Sequence, residues 1–138
     1  MIKDDCIFCK LANGVFPTNS IYEDDEFNVI LDINPSTKGH ALVLPKNHCD
    51  NALVADSELL GKAINIAAKT GNALKKALGC DGINIVQNNG EAAGQTVFHL
   101  HFHVIPRYTD DNLGINWVPG TDTAENLKKT AELLKANF

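Results

Sequence analysis

The longest periodic pattern in the chain predicts one amphipathic helix. Apolar residues recur at intervals of three and four over residues 60 to 78, as they do on one face of an α-helix. Asp56 or Ser57 can cap its first turn, and Gly79 can end it. A second helix is predicted at the end of the chain, from about residue 123 to residue 136.

Shorter apolar runs predict strands on both sides of the long helix. The runs are bounded by charged residues, glycine or proline, which is typical of strands that end in turns. Asp24-Asp25-Glu26 separates the first two runs and predicts a hairpin, and Pro106 is expected to stop the last one. A short helical turn over residues 5 to 13 precedes them. The five predicted strands cover residues 20–24, 27–33, 40–45, 83–87 and 98–105.

This order of elements predicts an α+β fold with an antiparallel sheet. Three strands come before the long helix and two come after it, which differs from the regular alternation of parallel α/β folds. The length of 138 residues fits one domain, and no repeat or linker divides it, so residues 1–138 are expected to form a single domain. The order of the strands in the sheet is not predicted.

Composition excludes several classes of function. The formal charge of −5, with no cluster of Lys or Arg, argues against nucleic acid or a membrane surface as partner. No apolar run reaches the ~20 residues of a membrane helix, and no signal peptide precedes the fold, so a cytoplasmic location is expected. Without export, the four cysteines are interpreted as thiols or metal ligands rather than disulfides.

Three histidines alternate with apolar residues in the last predicted strand. Because side chains alternate between the faces of a strand, His99, His101 and His103 should project from one face at a spacing of ~6.6 Å. The row could simply be the solvent face of a half-buried strand. Three of the chain's five histidines in one row instead favour metal binding, or acid, base and nucleophilic chemistry near neutral pH.

The segment before this strand contains groups that suit a phosphate. Residues 88–96 include two glycines, an amide and a hydroxyl, and successive backbone N–H groups can hold phosphate oxygens. A plain hairpin loop is the alternative. Neutral imidazole attacks phosphorus without prior deprotonation, so the central His101 is the predicted nucleophile and His103 is predicted to stabilise charge on the phosphate. Carboxylates are not clustered near the strand, so no catalytic metal is expected.

The sequence around the three histidines resembles the histidine triad (HIT) superfamily. Its signature, His-x-His-x-His followed by two apolar residues, stands here at residues 99–105, and similar motifs occur at residues 6–10, 22–25, 31–35 and 38–46. The chain is most similar to bacterial Hit proteins of the Hint branch. The resemblance implies a HIT-like fold, a homodimer, and hydrolysis or transfer of nucleotidyl groups from nucleoside 5′-phosphoramidates or related adenylates.

The resemblance also implies roles for individual residues. The nucleophile falls on His101, and His40 matches a histidine close to the triad that supports it. A purine nucleotide derivative would bind with Asp32 on its ribose hydroxyls, although Asp32 could instead start a turn and the apolar pocket residues could be core. The implied phosphate contacts are Asn88, Gly94, Gln95, Thr96 and His103, and the implied nucleoside pocket is Ile7, Phe8, Ile30, Asp32 and Ile33.

A pair of cysteines near the N-terminus indicates a metal site. One Cys-x-x-Cys motif, Cys6 and Cys9, is a moderate zinc signal by itself. The resemblance implies that His48 and His99 complete a structural zinc site, which gives His99 a structural role instead of a phosphate contact. Cys49 and Cys80 carry no such signal and are predicted to be buried as small apolar residues.

Three functions remain open at this point. The first is the phosphoramidate or adenylate hydrolase. The second is a dinucleoside polyphosphate hydrolase of the fragile-histidine-triad type, which shares the Gly-Gln-Thr/Ser motif before the triad. The third is a zinc-stabilised nucleotide-binding or scaffold protein. The resemblance covers roughly residues 5 to 109 and thins after Arg107, so residues 112–119 are expected to influence the choice of leaving group.

Overall fold

Five antiparallel strands form one sheet in the computed structural model, which describes residues 1–138. Their order is β1-β2-β3-β5-β4, so β5 returns between β3 and the edge strand β4. The α+β prediction with five antiparallel strands is confirmed. The strands are β1 (Ser20–Glu23), β2 (Phe27–Leu31), β3 (Ala41–Pro45), β4 (Gly82–Val86) and β5 (Phe102–Arg107).

The two faces of the sheet are covered by different helices. The long helix α2 (Ser57–Leu78) packs on one face, where small residues such as Ala63 and Ala67 let it approach the sheet closely. The short helix α1 (Ile7–Ala12) packs on the other face against Ile30 and Leu42. Because both faces are covered, β2 and β3 are continuously apolar apart from Asn28.

The predicted ends of α2 agree with the structure. The Asp56 carboxylate accepts a hydrogen bond from the Leu59 N–H at 2.8 Å, so Asp56 is the N-cap. Gly79 ends the helix in the left-handed conformation with φ +65°, which a residue with a Cβ rarely adopts.

The fifth strand differs from its prediction at both ends. It begins at Phe102 rather than at residue 98, because the Leu100 N–H donates to the Cys49 carbonyl instead of joining the sheet, and Phe98 is half exposed. Pro106 does not stop the strand. The ladder between β3 and β5 ends at the pair of Ala41 and Val104. Pro106 lies beyond this pair, so its missing N–H breaks no hydrogen bond to β3.

The C-terminal segment makes no core of its own. Helix α3 (Ala124–Lys135) forms as predicted, with the Thr123 hydroxyl as N-cap, but it contains no buried residue. Trp117 is also exposed. Arg107 holds the start of the segment by binding the Asp111 carboxylate and the Leu113 carbonyl. None of the helices combines the length and the apolar character needed to cross a bilayer.

Candidate functional site

The three histidines are neighbours in space, but only one of them lies within a strand. His103 lies in β5, whereas His99 and His101 precede it in the bent segment before the ladder begins. The prediction that all three stand in one regular strand is therefore wrong, but their alternation with apolar residues is kept. Leu100, Phe102 and Val104 belong to the core beneath α2, whereas the Phe8 ring of α1 contacts the rings of His99 and His101. The bend still brings the rings together, with 5.0 Å between the ring centroids of His101 and His103 and 5.1 Å between those of His103 and His40.

One nitrogen of His101 is held by the backbone, and this leaves the other free. His101 Nδ1 lies 2.6 Å from the carbonyl oxygen of His99, which can only accept, so Nδ1 carries the proton. The Nε2 atom therefore holds a lone pair. Burial lowers the pKa of His101 below its ordinary value, which keeps the ring neutral at pH 7. Phe8 contacts the ring edge-on, with 4.9 Å between centroids.

A chain of hydrogen bonds determines the protonation of His40 and His103. The Ser36 N–H donates to His40 Nδ1 at 3.0 Å, so the proton of neutral His40 is on Nε2 and is donated to His103 Nδ1 at 2.9 Å. His103 consequently carries its own proton on Nε2, as a donor. Burial lowers the pKa of both rings, that of His103 to about 4, and Asp32 opposes the shift.

All five residues of the predicted nucleoside pocket line one cavity of about 460 Å³. Two of them, Ile7 and Ile33, are 48% and 87% exposed, so they are not core residues. Oδ1 of Asp32 accepts the Asn34 N–H at 2.9 Å, which holds the carboxylate at the cavity wall. The lining residues are Ile7, Phe8, Leu11, Pro17, Thr18, Asn19, Ile30, Leu31, Asp32, Ile33, Asn34 and Leu42.

Thr18, Asn19 and Asn34 are the polar lining residues that sequence reasoning missed. Each stands in a short polar connection beside a proline, a pattern that any surface turn shares. No local signal could have separated them from ordinary loop residues. Only the packing of α1 against β2 and β3 brings them to the cavity.

The predicted phosphate loop is held in shape from within. The buried Gln95 side chain accepts from the Gly90 N–H at 2.9 Å and donates to the carbonyls of Asp50 and Val97 at 2.7 and 3.1 Å. Its amide is thus occupied in the protein and positions the loop. Gly94 has φ +94°, which a residue with a Cβ rarely adopts, so the backbone conformation of the loop rather than the space beside Asn88 favours glycine here.

Thr96 lies on the outer side of this loop. It is exposed and lines a second cavity of about 460 Å³, together with Ile7 and Phe98. Because Ile7 lines both cavities, the first turn of α1 separates the nucleoside cavity from the surface next to Thr96.

Cys6, Cys9, His48 and His99 converge as a possible metal site. Their four ligand atoms lie within 4.8 Å of one another. The Cys9 Sγ is 3.4 Å from His48 Nδ1 and 3.5 Å from His99 Nδ1, and the Cys6 Sγ is 3.4 Å from His99 Nδ1. A tetrahedral zinc with Zn–S of about 2.3 Å and Zn–N of about 2.0 Å requires S–N separations of roughly 3.5 Å. The four residues therefore fit zinc.

Neighbouring groups orient these residues for metal binding. His99 Nε2 donates to the Pro45 carbonyl at 2.8 Å, and His48 Nε2 donates to Asp50 at 2.8 Å, so both Nδ1 lone pairs face the thiols. Burial lowers the pKa of His99 to about 4, and a neutral ring is the form that ligates. The N-cap position of Cys6 places its sulfur beside that of Cys9, whose N–H it accepts at 3.4 Å.

Asp32, His40 and His103 form a second cluster whose polar atoms lie within 4.8 Å of one another. Its hydrogen bonding differs from that of the cysteine site. The His40 proton already points at His103 Nδ1, so no two imidazole lone pairs converge on a common point. The cluster is therefore interpreted as a hydrogen-bond network that orients His103.

Comparison with known proteins finds a family model and several relatives that match this chain. The family model described as the HIT domain matches residues 13–110. The Hit protein of Bacillus subtilis is 41% identical over 120 residues, which cover 86% of this chain and 83% of that protein. The adenosine 5′-monophosphoramidase of Schizosaccharomyces pombe is 36% identical over 134 residues, which cover 96% and 98% of the two chains.

Solved structures of HIT family proteins are also similar to this chain. A HIT family protein from Bacillus anthracis is similar with a TM-score of 0.89 and 38% identity, over 98% of both chains. A zinc-bound histidine triad family protein from Mycobacterium smegmatis is similar with a TM-score of 0.77 and 38% identity, over 96% of this chain and 97% of the other.

Proposed function

The chain belongs to the HIT domain family, in its Hint branch, and from this premise we propose that it hydrolyses nucleoside 5′-phosphoramidates or related adenylates through a nucleotidyl-histidine intermediate. The monophosphoramidase of Schizosaccharomyces pombe, which matches nearly the whole chain, supports this class of substrate. Transfer of the nucleotidyl group to an acceptor other than water would use the same intermediate.

The observation that carries the proposal is the hydrogen bond from His101 Nδ1 to the His99 carbonyl. It leaves Nε2 of a neutral imidazole as a free nucleophile, so no base has to remove a proton before attack. His103 has the opposite arrangement, with its Nδ1 accepting from His40 and its Nε2 proton available to a phosphate oxygen. One ring is thus suited to attack and its neighbour to stabilise charge.

We assign the cavity beside α1 to the nucleoside. Its apolar wall, with Phe8 and Ile33, suits the faces of a base, and the Asp32 carboxylate suits the ribose hydroxyls. The α-phosphate then lies at His101, with Asn88, Gly94, Thr96 and the backbone at Gln95 as further contacts. His40 is assigned to positioning, because it touches His103 rather than the cavity.

The reaction is proposed to run in two steps. His101 Nε2 attacks the α-phosphorus, a phosphorus–nitrogen bond to the imidazole forms, and the bond to the leaving amine breaks. The amine takes a proton from a neighbouring donor, for which Thr96 and the histidines are the candidates. Water then attacks the same phosphorus and gives up a proton to that donor, the phosphoramidate bond to His101 breaks, and the nucleoside monophosphate leaves with the neutral imidazole restored.

We propose that Cys6, Cys9, His48 and His99 hold one structural zinc ion. The tetrahedral fit of their ligand atoms supports this, as does the zinc-bound protein of Mycobacterium smegmatis. Four protein ligands leave no open position for substrate, so the ion would stabilise the fold by tying α1 to the segment that carries His101. No catalytic metal is required by the proposed steps.

We also propose that the chain acts as a homodimer whose two sheets are continuous. The edge strand β4 pairs only with β5, and Ile85 on it is 39% exposed. Such an edge can pair with another strand. A charged substitution there, Ile85→Lys, is expected to shift the sedimentation coefficient to that of a single chain, and an unchanged coefficient would argue against this interface.

Rapid quenching of a slowly hydrolysed adenosine phosphoramidate, followed by mass spectrometry, tests the central proposal. A nucleotidyl adduct is expected on the peptide that contains His101. An adduct on His103 alone would reverse the two roles. Turnover of diadenosine polyphosphate with a much higher kcat/KM than the phosphoramidate would favour the fragile-histidine-triad type of hydrolase, and turnover of neither compound would favour a binding or scaffold role.

A further inference from the structure

The two thiols of the proposed zinc site are also placed to bond to each other. Cys6 is the N-cap of α1, and Cys9 stands in the first turn of the same helix. Cα atoms three residues apart in a helix are roughly 5 Å apart, within the range of about 4.4–6.8 Å that a disulfide needs. The candidate ligand atoms, both sulfurs included, lie within 4.8 Å of one another. The pair can therefore form a disulfide by rotation of the side chains.

The two sulfurs differ in their access to solvent. Cys6 is half-buried and lines the second cavity, the one beside Thr96, whereas Cys9 is completely buried. A small oxidant that enters this cavity therefore meets Cys6 first, and Cys9 lies behind it. An accessible sulfur next to a protected one is the arrangement in which the second thiol resolves the oxidised first one.

Metal binding and oxidation compete for the same two atoms. A thiol that ligates zinc is deprotonated, and the thiolate is also the form that a peroxide oxidises. A disulfide sulfur carries no charge and does not ligate zinc, so a bond between Cys6 and Cys9 removes two of the four ligands. The two remaining imidazoles, His48 and His99, do not complete a tetrahedral site.

We propose that Cys6 and Cys9 form a redox site, at which hydrogen peroxide produces an intramolecular disulfide and thereby causes the loss of the metal. The Cys6 sulfur attacks one peroxide oxygen, the oxygen–oxygen bond breaks, and the departing hydroxide takes a proton from solvent. The Cys9 sulfur then attacks the resulting sulfenic acid, the sulfur–sulfur bond forms, the sulfur–oxygen bond breaks, and a second water leaves. The two sulfurs thus supply the two electrons that reduce one peroxide to two waters.

Oxidation should affect the nucleotide through α1. The sulfurs of Cys6 and Cys9 contact the His99 ring, and the turn that carries them also contributes Ile7 and Phe8 to the wall of the nucleoside cavity. The last turn of α1 stays packed on the sheet by its apolar residues. Loss of the metal therefore loosens the start of α1 alone, and the affinity for a nucleoside monophosphate should fall with it.

The test treats the reduced, zinc-loaded full chain with hydrogen peroxide. A colorimetric chelator should record the release of about one zinc per chain, and the unfolding temperature should fall by roughly 5–10 °C. Cleavage after Lys3 and Lys10 leaves both cysteines on one peptide, whose mass should decrease by about 2 Da on closure of the disulfide. Calorimetry should show weaker binding of adenosine monophosphate, and dithiothreitol with added zinc should reverse all four changes.

The matched control is the double variant Cys49→Ser with Cys80→Ser, which removes the two cysteines outside the cluster and should respond as the unmodified protein does. Cys6→Ser keeps one thiol of the pair, so its peptide should show no decrease in mass. Zinc retained after peroxide has oxidised Cys49 or Cys80 would overturn the inference, as would a peptide that gains oxygen without closing.

The inference rests on the proposed zinc site and not on the proposed hydrolysis, because none of these measurements requires turnover of a phosphoramidate. Elemental analysis before treatment tests the zinc site by itself. A reduced chain that holds no zinc would refute both the ligand set and the release of metal. A chain that holds zinc and keeps it after the peptide has closed would refute the release alone.

Discussion

His99 and His101 are two residues apart, both buried, and both have a pKa lowered by burial, yet their surroundings prepare them for different chemistry. His99 donates from Nε2 to the Pro45 carbonyl, which leaves Nδ1 against two thiols. His101 donates from Nδ1 to the His99 carbonyl, which leaves Nε2 free. The chemistry of each imidazole depends on which nitrogen the backbone engages.

The two regions also differ in what a lost side chain should affect. In the proposed zinc site around His99 every ligand atom faces another protein atom, so substitutions there should mainly change the stability of the fold. At His101 and His103 one nitrogen of each ring is free to contact a substrate, so substitutions there should mainly change kcat. Substitutions in each region measure how far these two properties can be separated.

The largest effect is expected from removing the proposed nucleophile. His101→Ala abolishes the covalent route, so kcat should fall by about 10³-fold or more. Binding of adenosine monophosphate, measured by calorimetry, should change far less, and the zinc content should stay near one per chain. The control is His101→Asn, which keeps a polar side chain without a nucleophilic imidazole and should be equally inactive. Turnover close to that of the unmodified protein in either variant would assign the chemistry elsewhere.

Removing the metal site tests the other side of the comparison. The double variant Cys6→Ser with Cys9→Ser should lose zinc and reduce the free energy of unfolding by about 3 kcal/mol or more, because metal binding is coupled to folding. Well below its unfolding temperature it should keep most of its kcat. Elemental analysis and thermal unfolding provide the measurements, with Cys80→Ser as a cysteine variant outside the site. Full zinc retention in the double variant would rule out this ligand set.

A smaller loss is expected from His103→Ala, which removes a proposed hydrogen-bond donor to the phosphate but leaves the nucleophile. We expect kcat to fall by about 10- to 100-fold. His40→Gln should cost less, because it alters only the orientation of His103. Steady-state kinetics on one phosphoramidate gives the order of the three variants. If His103→Ala were as inactive as His101→Ala, the two rings would have to act as one unit.

The smallest predicted effect is the acid sensitivity of folding. The pKa of His103 is lowered to about 4, so between the ordinary histidine value of 6.5 and that value the unfolded chain binds a proton that the folded chain does not. Stability should therefore fall as the pH falls through this window. Unfolding in urea at several pH values should give a shallower dependence for His103→Asn. An identical dependence would mean that His103 does not contribute.

The elements of the fold could be predicted because their signals are local. The repeat of α2 and its caps are contained within 24 consecutive residues, and the first three strands are marked by turns on either side. The start of β5 could not be predicted, because the pattern at residues 98–101 suits a strand. The competing acceptor is the carbonyl of Cys49, which is distant in sequence, so no local pattern indicates this hydrogen bond.

The candidate site shows the same division. The family motif pointed to five residues that prove to line one cavity, and to four whose candidate ligand atoms lie within 4.8 Å of one another. It did not point to Thr18 and Asn19, which resemble any residues in a polar turn. It also suggested a phosphate contact at Gln95, whose side chain is occupied in holding the loop.

The sequence by itself determined which chemical groups are available: three alternating imidazoles, two thiols in one helical turn, and a glycine-containing loop. It did not determine their protonation or their direction. Those depend on the Pro45 carbonyl beside His99 and on the Ser36 N–H beside His40, which belong to segments that only the folded sheet brings to the histidines. A hydrogen bond requires its two atoms to meet at about 3 Å, and for residues distant in sequence only tertiary packing decides that.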